Sequence, residues 1–169
     1  MEEFSVSSLH SPNYSSRRGS IVDCIILHHT GTLVFQKTVK MFTSGESKVS
    51  AHYVIARNPE EGIVNFVPSS EKAWHCGRAA MWKVPDVNLF SVGVQLVGTA
   101  DSGFTPFQYQ ASAFVCANIM NQYPGIFFNR IIGHDAIAER MNGPGPLWQW
   151  GRFFDILVSR LYGLSLERE

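Results

Sequence analysis

Two apolar runs in the chain end in imidazoles. "IILHH" carries His28 and His29 directly after Leu27, and "IIGH" carries His134 directly after Gly133. Branched residues running to a histidine have the pattern of a strand with a polar group at its end. In open α/β sheets, ligand sites gather beyond the carboxyl ends of strands. Two imidazoles delivered there could share a metal ion, with Zn–N distances of ~2.0–2.1 Å. The same residues could instead hydrogen-bond to the loops that follow them, and spacing alone leaves both readings open. His52, in "SAHY", reads as a histidine packed on a hairpin.

The elements that must position these groups follow from period and punctuation. "IVDCIIL" (21–27) is apolar and β-branched, the pattern of a strand covered on both faces. "FQKTVKMFTSG" predicts a short helix, with Phe35, Val39 and Phe42 on one side and Gly45 as its stop. "AHYVIAR" and "GIVNFVP" alternate around the turn "NPEEG" and predict a β-hairpin. "FSVGVQLVG" (90–98) predicts another strand, with Gly93 and Gly98 marking close approach or termination. Thr105 as N-cap and Pro106 at the first helical position open a helix that Pro124-Gly125 stops. A last helix carries Phe153, Leu157 and Leu161 at four-residue spacing. Mixed helices and strands without internal repeats predict an α/β layer protein on one central sheet.

Bulk properties narrow the functions. A length of 169 residues predicts one domain with a core large enough to need no staples. Fourteen basic and fourteen acidic residues leave a formal charge of zero, with no basic block to hold nucleic acid. No run approaches the ~20 apolar residues of a membrane span. The three cysteines, Cys24, Cys76 and Cys116, are odd in number and lack CxxC spacing, which argues against a disulfide framework. The polar, Ser-rich residues 1–20 read as an extended N-terminal arm, and 21–169 as the domain. The expected compartment is the cytoplasm.

Taken in order, "IILHHTGT", "SAHYVI", "GIVNFVP", "KAWHCG", "FSVGVQLVG", "FTPFQYQA" and "IIGHDAIAERMNGPGP" resemble the zinc-dependent N-acetylmuramoyl-L-alanine amidases. That family includes muropeptide-recycling amidases, phage lysozyme-amidases and peptidoglycan-recognition proteins. The resemblance runs from about residue 21 to residue 157. It implies a single mixed β-sheet flanked by helices, and a groove for the stem peptide and amino sugar of a peptidoglycan fragment. His28 matches the first zinc ligand and His134 the second. His29, Trp74, His75 and Asn142 match positions that line the substrate groove. Cys76 replaces a residue that is usually small; it reads as a partly buried spectator thiol, with a place close to the metal as the alternative.

The chain departs from the family pattern at its chemical positions. The third ligand is an aspartate or cysteine before Pro-Gly-Pro, and the ungapped frame "ERMNGPGP" puts Gly143 there. Two neutral imidazoles and no anion predict weak zinc retention or none, since catalytic zinc has three protein ligands and a water. The general-base glutamate is replaced by Gln95, which cannot take a proton, and such a base contributes roughly 10²–10⁴-fold. The oxyanion-stabilising lysine is replaced by Met141, and loss of one oxyanion donor costs ~10²–10³-fold.

The leading expectation is therefore a module that recognises a muropeptide without cutting it. An alternative is an active zinc amidase whose third ligand is Asp135, Asn142, Cys76 or water, although Asp135 directly after His134 would strain a shared tetrahedron. A third is a structural module that meets a protein partner through the N-terminal arm. Restoring Gly143→Asp, Met141→Lys and Gln95→Glu together is the repair that this alignment suggests.

Overall fold

The apolar run after Ile21 becomes the centre of the sheet. A computed structural model describes residues 3–77, 79–81, 84–138 and 143–164. In chain order its elements are β1 (Val6–Ser8), β2 (Tyr14–Ser16), β3 (Cys24–His29), α1 (Phe35–Thr43), β4 (Tyr53–Ile55) and β5 (Ile63–Asn65). They continue as β6 (Glu71–Ala73), β7 (Ala80–Met81), β8 (Val84–Pro85), β9 (Ser91–Leu96), α2 (Pro106–Gln122), β10 (Ile131–Gly133) and α3 (Trp150–Tyr162). The main sheet has the order β1-β5-β4-β9-β3-β10. β3 is parallel to both β9 and β10, while β4 is parallel to β9 and antiparallel to β5. The sheet is mixed, as the resemblance implied, and the hairpin read from "AHYVIAR" and "GIVNFVP" is β4–β5.

All of β3 is buried, because both sheet faces are covered. Side chains alternate along a strand, so Ile25 and Leu27 meet Val92, Val94 and Leu96 on one face, under Phe114, Phe153 and Leu157 of α2 and α3. α2 starts at a full capping box: Thr105 Oγ1 accepts from the Gln108 N–H, and the Gln108 side chain accepts from the Thr105 N–H. It lies between sheet and α3, so apolar residues occur around much of its circumference rather than on one stripe. On the other face, Phe35 and Phe42 of α1 pack on Val54, Val64 and Phe66. A second group on that face joins Cys24 and Ile26 to Cys76, Met81 and Val87. All three cysteines are buried and free.

Two boundaries differ from expectation. The strand begins at Cys24 rather than Ile21, whose side chain is 81 % exposed and has nothing to cover it. α1 ends at Thr43, where the Ser44 N–H bonds back to Met41, before Gly45 is reached. Residues 3–20 are extended and fastened along the domain: β1 pairs with β5 and β2 with β6. Ser11 and Asn13 donate to carbonyls of Phe42, Ser44 and Val49. The Arg17 guanidinium is buried and donates to the carbonyls of Ser69, Asn88, Leu89 and Ser91, its pKa lowered by that burial to about 10. No helix among the described residues is long and apolar enough to cross a membrane.

Candidate functional site

Register assembles the site. Along β3 and β9, Cys24 lies opposite Ser91, Ile26 opposite Gly93 and His28 opposite Gln95. These alternate residues share the face away from α2 and α3. β10 runs beside β3 with Gly133 opposite Leu27, so the next residue, His134, comes level with His28. The two rings lie with centroids 4.6 Å apart. The chain leaving β6 then lays His75 across Gly93. A Cβ at position 93 would overlap that imidazole, 2.7 Å from its Cδ2 and nearer still to Cγ and Nδ1. The glycine in "SVGVQ" is thus the gap into which a histidine from another strand is packed.

Hydrogen bonds assign the tautomers. Ser91 Oγ donates to the Val87 carbonyl (2.7 Å) and keeps its lone pairs for His75 Nε2–H at 3.2 Å. His75 Nδ1 is then unprotonated and faces both His28 Nε2 (3.0 Å) and Cys76 Sγ (3.1 Å). Asn88 Oδ1 accepts from the backbone N–H groups of His75 and Cys76, which holds this corner. His134 Nε2–H donates to the Cys76 carbonyl at 3.3 Å, while its buried Nδ1 has no hydrogen-bond partner among the described residues. His52 is packed as expected: Nδ1 accepts from the Gly93 N–H, and Nε2–H donates to the Glu71 carbonyl. The Arg17 guanidinium 3.0 Å from that nitrogen therefore meets a donor and keeps the ring neutral.

Burial pushes the pKa of His28 and His75 well below the usual imidazole value, and neighbouring histidines add to it. Burial also lowers His134, against hydrogen bonding to Cys76 and the charge of Asp135. His52 is lowered to about 3 by burial, then by Arg17. A histidine neutral in the fold but able to charge when unfolded makes stability fall as pH drops below the unfolded value of about 6.5. For His52 the loss continues to about pH 3, at up to about 1.4 kcal/mol per pH unit. In chelator, the urea midpoint is expected to fall clearly between pH 7.5 and pH 5; an unchanged midpoint would show that these rings are not buried neutral.

His28, Trp74, His75, Gln95, His134 and Lys48 line a cavity of about 1080 Å³ that opens to solvent. Gln95 Oε1 is buried there without a hydrogen-bond partner among the described residues. Trp74 is half-buried, its indole N–H donating to Ser15 Oγ. His29 also borders the cavity, its Nδ1 accepting from the Gly31 N–H. His75 borders the cavity and also sets its Nδ1 against His28 Nε2. Met141 and Asn142 lie outside the described residues.

Gly143 stands against His29. Its φ is +79°, and a Cβ would lie 2.8 Å from the His29 backbone nitrogen and closer to Cδ2. A side chain at 143 is refused both by its backbone conformation and by its neighbour. The three-residue repair suggested by the alignment therefore meets an obstacle that the sequence did not show: an aspartate at 143 requires the segment to move. Asp135 does not replace it. Its Oδ2 accepts from the Gly145 N–H, and its own N–H donates to the Gly143 carbonyl, so the carboxylate ties down this segment. The ligand set implied by the resemblance is not completed by the residues present. The described donors gathered around His28 are His75, Cys76 and His134.

Ser91, Gly93, Asn88 and Arg17 were not anticipated as parts of the site. Only Gly93 carried a signal, as an interior strand glycine marking close approach.

The fold is that of the N-acetylmuramoyl-L-alanine amidases. Residues 18–146 match the family described as N-acetylmuramoyl-L-alanine amidase, and the chain belongs to that family. It is 38 % identical over 132 residues to the 1,6-anhydro-N-acetylmuramyl-L-alanine amidase AmpD of Escherichia coli (78 % of this chain, 70 % of the relative). It is 41 % identical over 107 residues to AmpD of Citrobacter freundii, a match spanning 63 % of this chain and 56 % of the relative's length. A crystal structure of AmpD superposes with a TM-score of 0.81 at 30 % identity, covering 90 % of this chain and 94 % of that one. AMPDH3 of Pseudomonas aeruginosa, solved in complex with an anhydromuramic pentapeptide, gives 0.71 at 27 % identity, covering 86 % and 62 %.

Proposed function

We propose that this protein binds a muropeptide in the His28–Gln95 groove and has lost the family's zinc-dependent hydrolysis of the amide. The observation that carries the reading is Gln95. It occupies the position matched to the general base, beside His28 in register, with a buried carbonyl oxygen that has no hydrogen-bond partner among the described residues. An amide there can hold a ligand N–H or O–H but cannot accept a proton from water. Gly143 supports the reading from the other side, offering no donor and no room for one. The ligand class is supported by the AmpD relatives and by the pentapeptide complex of AMPDH3. Trp74, His29 and Asn142 are proposed as groove contacts.

Titration calorimetry with an anhydro-MurNAc-tripeptide is expected to show saturable binding that persists in chelator, with the ligand recovered intact. Absence of heat at millimolar ligand would overturn the reading. Gln95→Ala should weaken binding about tenfold, the cost of losing one hydrogen bond to a buried acceptor of about 1.4 kcal/mol.

A further inference from the structure

We propose that the chain binds a zinc-like divalent metal through His28 Nε2, His75 Nδ1 and Cys76 Sγ, a donor set displaced from the one its family resemblance implies. The three atoms lie within 4.8 Å of one another. Two of the separations are 3.0 Å, from His28 to His75, and 3.1 Å, from His75 to Cys76. A tetrahedral ion with Zn–N of ~2.0–2.1 Å and Zn–S of ~2.3 Å holds its donors about 3.3–3.6 Å apart. Inserting the ion therefore spreads the two short contacts by a few tenths of an ångström.

The chemistry of the set is complete where the implied one is not. Two neutral imidazoles and one thiolate supply the anion that Gly143 cannot. On binding, the Cys76 thiol releases its proton to solvent and His28 carries its proton on Nδ1, leaving Nε2 to bond the metal. His75 needs no change, because Ser91 Oγ already holds the proton on Nε2 and leaves Nδ1 with its lone pair. This is the outer partner that a metal-bound histidine normally has. Asn88 Oδ1 holds the backbone N–H groups of both His75 and Cys76, so two donors on consecutive residues are aimed by one side chain. His134, with its buried and unpartnered Nδ1, stands beside His28 but outside the three-donor group. Nitrogen and thiolate donors select zinc or cobalt(II) over magnesium or calcium. With Gln95 opposite His28, the position matched to the general base holds an amide, so the inference is compatible with lost hydrolysis. It does not depend on muropeptide binding.

The test uses the metal alone. Chelator-treated protein titrated with cobalt(II) is expected to bind one equivalent and to develop a near-ultraviolet thiolate-to-cobalt charge-transfer band with intense visible tetrahedral bands. Cys76→Ser should abolish the charge-transfer band, whereas Cys24→Ala, which alters a thiol outside the set, should keep it. Ser91→Ala should keep the band and weaken affinity about 10–100-fold, as loss of an outer partner does. X-ray absorption of the zinc-loaded wild-type protein needs no variant and should show one sulfur at ~2.3 Å. A shell of nitrogen and oxygen only, a charge-transfer band that survives Cys76→Ser, or no cobalt bound at all would each overturn the proposal.

Discussion

Given zinc and an anhydro-MurNAc-L-alanyl peptide, the protein is expected to release peptide at least about 100-fold more slowly than a family member with glutamate at the position of Gln95. General-base assistance alone is worth roughly 10²–10⁴-fold, and Met141 offers no cation where the resemblance implies an oxyanion lysine. These losses fall on groups that act as a unit, so they do not multiply. Mass spectrometry of the released peptide, compared with an AmpD enzyme under the same conditions, reads the difference. Turnover within tenfold of that enzyme would remove the non-hydrolysing reading. Gln95→Glu alone is not expected to rescue the rate, because a base needs a correctly held water. Adding Met141→Lys and Gly143→Asp brings a side chain into the space of His29 at positive φ. That variant is expected to lose stability before it gains activity, which thermal unfolding reads directly.

Gly93→Ala is expected to cost about 3 kcal/mol, the upper part of the range for overpacking a core. One methyl group there enters the His75 ring, and the same residue's N–H is held by His52 Nδ1. The strand cannot retreat without breaking that bond, and the ring cannot without leaving Ser91 and His28. Urea unfolding should show the loss, and cobalt binding should fail in the same variant if His75 is a ligand. Gly151→Ala is the matched control: its Cβ meets nothing within 4 Å near the start of α3. There the helical preference of alanine should stabilise by up to about 1 kcal/mol. A Gly93→Ala midpoint equal to wild type would mean that His75 does not lie over β9.

Much of this molecule was legible along the chain. Period and punctuation placed the hairpin, the Thr105-capped helix and the strand of Gln95, because these depend on neighbours a few residues apart. The pairing of His28 with His134 was visible as a repeated design at two strand ends, and the missing donors at 95 and 143 were visible as residue types. Such statements need only an alignment frame and the fact that glycine has no side chain and glutamine no basic group.

The tertiary structure decided what surrounds those positions. That His75 packs onto β9 depends on Gly93 facing it across another strand, a relation between residues 18 apart that no local period encodes. That Gly143 leans on His29, and not toward His28, depends on how the segment after β10 crosses the end of β3. Cys76 read as a spectator because its sequence neighbours say nothing of His28, which is 48 residues away and becomes its neighbour only through the sheet. Residue type determined which groups positions 95 and 143 can offer, since that is a property of single side chains. Strand register and loop path decided which donors meet, since distances between remote residues exist only once the sheet has formed.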